Sequence, residues 1–253
     1  GPAPSTELRR RQLHYDWHWV FDTGNGDVGN QGIHQMDIAR WSLGQDELPE
    51  HTLSIGGRVG YDDDGNTPNT QIVFHEFKEG PPLLFEVRGL PRDEAAQKKG
   101  WGRNMDNYQG ARIGVIVHCR DGYLRIPDYH RAIVIGKDGK EITRFEGSTN
   151  HYQNFLDAMR SRNAEDLKAD IREGHLSSAM CHMGNVSHLL GKTHSKAELD
   201  AMAGKNAHTA EAWQRMHKHL VKNGVDVDTV EGGVRMGPRL TMDPKTERFA
   251  DDA

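Results

Sequence analysis

The chain has 253 residues, with 32 Lys and Arg against 37 Asp and Glu for a formal net charge of -5, and only 35% of its residues are hydrophobic. That length can bury a core in one large domain or two small ones, and the slightly acidic balance excludes a global basic footprint for nucleic acid. No apolar run approaches the roughly 20 residues of a membrane span, no signal-peptide pattern opens the chain, and a mean hydropathy of -0.77 points to long loops or to a face normally covered by something else.

In chain order, residues 1–12 read as an extended linker. They open on Gly1-Pro2-Ala3-Pro4, and Arg9, Arg10 and Arg11 form a run best taken as solvated. Tyr15, Trp17 and Trp19 then alternate with Asp16, His18 and Val20, a period consistent with a short strand. Four glycines between Gly24 and Gly32 form a turn that feeds a helix, whose apolar positions Ile33, Met36, Ile38, Ala39, Trp41 and Leu43 end at Gly44.

The middle of the chain changes period. Leu53, Ile55, Val59 and Tyr61, then Ile72 and Phe74, Phe85 and Val87, and Ile113, Val115 and Val117 recur at spacings of two, the mark of half-buried strands. Asp121-Gly122 and Asp138-Gly139 are explicit hairpin turns, so the sheet is expected to be largely antiparallel. Pro91 to Gly110 is charged and aperiodic, a long loop able to border a site.

After Asn150 helices return. Tyr152, Phe155, Leu156 and Met159 mark one apolar face, and Asp170 with Glu173 reads as a capping box ahead of Leu176, Met180, Met183 and Leu190, closed by Gly191. Both helices are expected to lie on the sheet. Ser195 with Glu198, and then Thr209, cap two shorter helices, the second carrying Trp213, Met216 and Leu220. Residues 13–224 thus form one α+β domain, and 225–253 an extended tail expected to wrap or dock rather than form core.

Several motifs fail on context. Gly24-Asn25-Gly26-Asp27-Val28-Gly29 matches G-x-G-x-x-G, but no convincing strand precedes it, no acidic strand end follows, and Asp27 would sit against phosphate. Gly191-Lys192-Thr193 closes a helix instead of opening one. Cys119 and Cys181 give neither a metal spacing nor a disulfide framework and read as two buried free thiols, and the pairs available among the 15 histidines lack a third ligand, so no metal is expected.

One constellation carries chemistry. In Gly29-Asn30-Gln31-Gly32-Ile33-His34-Gln35-Met36-Asp37, His34 falls in the first turn of a helix, where the positive helix end disfavours imidazolium and leaves a ring able to accept a proton. Asn30 lies four residues earlier, placed to orient the ring or a substrate hydroxyl if the helix starts early enough. On local evidence alone, a helix-capping histidine without catalytic role explains the pattern equally well.

Three ordered motifs resemble one known family. Gly26 through Trp41 with Leu43-Gly44, His151 through Ser161, and Gly174 through Asn185 are similar to the C-terminal domain of the glucose-fructose oxidoreductase, inositol dehydrogenase and rhizopine-catabolism (Gfo/Idh/MocA) family, over most of residues 13–192. The resemblance implies an open, mostly antiparallel β-sheet with helices packed on one face. It also implies an N-terminal Rossmann domain, holding NAD or NADP and a catalytic lysine, to which nothing here corresponds. No cofactor is therefore expected on this chain alone.

By the same resemblance His34 takes the proton of a sugar or polyol hydroxyl, and Asn30 stands where the family has aspartate. Gln31, Asp27, Asp37, Trp17, Trp19 and His182 are further substrate-pocket candidates, and a homo-oligomer through the sheet face is expected. Two other readings stay open: a nicotinamide-dependent glycosidase or lyase on the same scaffold, and a non-catalytic oligomerisation module.

Overall fold

The computed structural model describes residues 3–5 and 12–250. Most of the expected linker, including the Arg9–Arg11 run, lies outside the described residues. The class is α+β with antiparallel strands throughout the two described sheets.

In the first sheet, β1 (His51–Gly57), β2 (Thr70–Glu76) and β3 (Leu83–Arg88) pair in order, β2 is central among them with its edges satisfied by β1 and β3, and its two faces are both buried under packed side chains. Successive side chains on a strand point to opposite faces, and the two resulting layers have different covers. Ile72 joins Ile55, Trp213, Met216 and Leu220 on one face, while Val73 joins Met36, Leu83, Leu176 and Met180 on the other. Helices therefore cover both faces of this sheet, not one as expected. The cover on the Val73 side is α3 (Gly32–Leu43) with α6 (Ile171–Leu190), and on the Ile72 side α7 (Lys196–Ala203) with α8 (Ala207–Lys222).

The remaining strands, β4 (Val115–Cys119), β5 (Gly122–Asp128), β6 (Arg131–Gly136) and β7 (Glu141–Glu146), form a separate four-stranded meander whose end strand β7 is wholly exposed. Both Asp-Gly turns fall at its hairpins, with Gly122 and Gly139 at positive φ.

Several expectations are corrected. The segment after Val225 contributes to the core: Val225, Val227, Val234, Met236, Leu240 and Met242 are buried, and the short strands Arg235–Met236 and Leu240–Asp243 pair with β1. Trp17–Trp19 is a 3-10 turn rather than a strand, following a single helical turn at Leu13–Asp16. Asp170 caps α6 through the Arg172 N–H, but Glu173 turns away to Arg40 and Trp41. Asn206, not Thr209, caps α8, while the Ser195–Glu198 capping box is present. The helix α5 (His151–Ser161) buries no residue and leaves Tyr152, Phe155 and Met159 exposed, because no described element covers its apolar face. Cys119 is exposed, whereas Cys181 is buried and its thiol is pushed up to about 12 by desolvation.

α3 and α6 meet closely. Gly184 lies over Val73, and a Cβ there would stand 2.8 Å from both Val73 methyl carbons. Val is stiff at χ1, so overpacking of about 1–3 kcal/mol exceeds the helix-propensity gain of about 1 kcal/mol for alanine over glycine. Gly184→Ala should lose about 1 kcal/mol and Gly184→Val about 3 kcal/mol in urea unfolding; a stabilised Gly184→Ala would contradict this packing.

The same helix pair is tied by Arg40, which is 1% exposed. Its guanidinium donates to Glu173, to Ser177 Oγ at 3.2 Å and to the Gln45 carbonyl at 2.7 Å. Removing Glu173 strands a buried charge with Asp37 at 3.5 Å as its remaining carboxylate, whereas removing Arg40 leaves a carboxylate that water can reach. Glu173→Ala should therefore cost more than Arg40→Met, about 2–3 kcal/mol against about 2 kcal/mol, and the reverse order in chemical denaturation would refute the asymmetry.

Candidate functional site

The glycine-rich segment is more ordered than a turn. Gly26–Asn30 forms α2, Gln31 keeps helical dihedrals, and α3 follows at once. Gly32 is required here by close approach: its Cβ position is 2.8 Å from the Phe85 ring of β3, which seats the start of α3 against the sheet. Asn185 on α6 donates to the Asn25 carbonyl at 2.8 Å and fixes the other end. Gly44 closes α3 in the left-handed conformation.

His34 stands in the first turn of α3 with its side chain exposed. Asn30 is the last residue of α2, and no hydrogen bond joins it to His34 among the described residues. Gln31 Nε2 donates to Gln35 Oε1 and to the Tyr129 hydroxyl, both at 3.1 Å. The Tyr129 ring lies 5.7 Å from the His34 ring at 58°. Tyr129 sits at the β5–β6 turn, where Asp128 accepts from the His130 N–H at 2.9 Å and from Arg131 Nε at 2.8 Å, holding the corner rigid. Imidazole, two amides and a phenol thus share one surface.

The other nominated residues lie elsewhere. Asp37 accepts from Ser177 Oγ at 2.5 Å and neighbours Arg40, so it faces α6 as part of the helix–helix network. His182 is exposed on α6. Trp17 stacks on His18 at 4.1 Å and remains 43% exposed. Trp19 bonds Asp27, whose carboxyl is pushed up by burial against the pull of that bond and of nearby Arg58 and His18. Asp27 and Trp19 therefore tie the aromatic turn to α2 beside Arg58, which donates to the Thr67 carbonyl at 2.9 Å.

Gln35, Tyr129 and Arg58 were not nominated by sequence. Tyr129 follows Asp128 at a turn 95 residues beyond His34, and its only sequence signal is a large aromatic ring at a hairpin corner. A surface depression of 440 Å³ lined by Thr193, His194, Ser195, Val227, Asp228, Val230, Gly232 and Gly233 contains none of the nominated residues. Among the described residues no three His, Cys, Asp or Glu side chains gather in a way that would hold a metal ion, and no helix is long and apolar enough to cross a membrane.

The residues present do not fit a dinucleotide. Gly24–Gly29 follows a 3-10 turn instead of a strand, and Thr67 and Asn25 side chains occupy the space over Gly26 and Gly29 where pyrophosphate would approach.

No protein-family model matches the chain, and no curated protein matches it in sequence. Among solved structures, it is similar to a Thermotoga maritima protein assigned to the oxidoreductases, with 15% identity over 72% of this chain and 49% of that one and a TM-score of 0.48. A further oxidoreductase from Thermotoga maritima gives 13% identity, 71% and 47% coverage and a TM-score of 0.44. The WlbA dehydrogenase from Bordetella pertussis, solved with NADH and UDP-GlcNAcA, gives 14%, 70%, 48% and 0.41. The chain spans less than half the length of each of these structures. At such identities and scores their functions do not transfer by likeness.

Proposed function

We propose that the chain is the substrate-facing half of a NAD(P)-dependent oxidoreductase of Gfo/Idh/MocA type, acting on a sugar or polyol hydroxyl. The observation that carries this reading is the exposed His34 ring on a polar surface shared with Gln31, Gln35 and Tyr129. His34 accepts the hydroxyl proton, and Asn30 and Gln31 orient neighbouring hydroxyls. A nicotinamide would supply the hydride acceptor; because the residues present do not fit a dinucleotide, we assign NAD or NADP to a Rossmann domain outside this chain, and the chain alone should show no calorimetric binding of NAD.

The half-exposed apolar face carrying Val117, Leu124 and Val134 is the surface for a homo-oligomer. A second reading, a glycosidase or lyase in which oxidation is transient, is favoured by Asn30, a neutral amide that lends no charge to an imidazolium. The protein joined to its nucleotide-binding domain tests both, with sugars as substrates. Net cofactor reduction that depends on His34 supports a dehydrogenase, released monosaccharide without net reduction supports the second reading, and neither product overturns the proposal.

A further inference from the structure

We infer that Tyr129 is a positioning residue: its ring holds the His34 imidazole in one rotamer, and its hydroxyl fixes which end of the Gln31 amide is left open. The inference deepens the oxidoreductase reading and rests on it. An exposed side chain exchanges rotamers within picoseconds to nanoseconds, whereas a general base acts well only when it waits in the reactive geometry. His34 is such a side chain, in the first turn of α3. Among the described residues no hydrogen bond reaches its ring, and its one ring neighbour is Tyr129, at 5.7 Å between centroids and 58° between planes. That separation lies within the range of an attractive aromatic pair.

Tyr129 can restrain a neighbour because it is itself restrained. Its hydroxyl accepts from Gln31 Nε2 at 3.1 Å, and the corner that carries it is closed by Asp128, which accepts from the His130 N–H and from Arg131. The other Gln31 amide proton goes to Gln35 Oε1 at 3.1 Å. Both protons are thus spent inside the protein, and Gln31 is left with a carbonyl oxygen that can only accept, as a partner for a hydroxyl donor. A packing role does not account for Tyr129: it belongs to neither core cluster and is 57% exposed, and α3 already meets the meander through β4.

The test pairs nuclear magnetic resonance of the chain with kinetics of the protein joined to its proposed nucleotide-binding domain. With isotope-labelled histidine, the couplings across the His34 χ1 bond should report a single rotamer in the parent chain and in Tyr129→Phe, and rotamer averaging in Tyr129→Ala. Backbone amide shifts along β4 should stay in place in both variants, because that strand still meets α3. In the joined protein, Tyr129→Ala should lower kcat about tenfold or more. Tyr129→Phe keeps the ring but frees the amide, so it should hold kcat within about threefold and raise KM for the sugar about threefold. Averaged couplings in the parent chain, a single rotamer in Tyr129→Ala, or β4 shifts showing that the hairpin has come away would each overturn the inference. So would a Tyr129→Phe that loses as much kcat as Tyr129→Ala or leaves KM unchanged. Failure of the oxidoreductase reading looks different: Tyr129→Ala frees the His34 ring, yet turnover in the joined protein does not depend on His34.

Discussion

Acidification from pH 7 to pH 5 should destabilise the fold by about 2 kcal/mol for each of two buried histidines. His75, fully buried on β2, is held neutral by desolvation with its pKa lowered to about 3. His188 on α6 is lowered to about 4 by burial and by Arg235. In the unfolded chain both rings take a proton near their ordinary value of 6.5, so below that pH the unfolded state binds more protons than the folded one. Stability therefore falls as pH drops through the window from about 6.5 to about 4, and His75 continues the loss toward about 3.

Local bonding supports the direction. His75 Nδ1 is shared with Thr52 Oγ1 at 2.8 Å, while His75 Nε2 and His188 Nδ1 are buried without hydrogen-bond partners and have no carboxylate to reward protonation. Urea unfolding across pH 7 to 5 should show the slope. His75→Gln with His188→Gln should flatten it, whatever that pair does to stability at pH 7. A slope unchanged in the double variant would remove both histidines from the explanation.

The second large effect concerns chemistry. In the protein joined to the nucleotide-binding domain proposed for it, His34→Ala should lower kcat by about 10²–10⁴-fold, the usual contribution of a positioned general base. His34 is exposed and contributes to neither core cluster, so its loss should change stability by no more than about 0.5 kcal/mol. The kinetic effect is thereby separated from unfolding. His34→Gln keeps a hydrogen-bonding side chain without a proton acceptor and should lose nearly as much kcat with little change in KM. A His34→Gln variant with full kcat would reduce the residue to an orienting contact.

Much of the fold was legible where local pattern and tertiary demand agree. Trp213, Met216 and Leu220 recur at helical spacing and all reach the core from α8, and the Asp-Gly dipeptides mark two of the meander hairpins. Misreadings cluster where contacts are non-local. The pairing of Arg235–Met236 and Leu240–Asp243 with β1 joins segments about 180 residues apart by runs too short to show a period. Glu173 has capping spacing, yet the buried Arg40 on another helix is the stronger attraction for its carboxylate. The alternation at Trp17–Trp19 mimics a strand because three rings of one tight turn splay and stack on each other.

The candidate site divides in the same way. Asn30, Gln31 and His34 fall within five residues and were readable as a group, while Tyr129 arrives from the second sheet and is visible only once the β5–β6 turn is placed against α3. Asp27 and Asp37, nominated for their proximity in sequence, face Trp19 and α6 instead. Helical spacing alone would leave these positions near one face; tertiary partners separate them, Trp19 and Arg58 drawing Asp27 and Ser177 on α6 drawing Asp37.

The most direct measurement follows a deuterium atom from the carbinol carbon of a labelled neutral sugar in the joined protein. If His34 serves an oxidation at that carbon, the label leaves the sugar with the hydride and is recovered on the nicotinamide, and His34→Ala abolishes the transfer. Label that stays on the sugar while product accumulates, or transfer that survives the loss of His34, contradicts it.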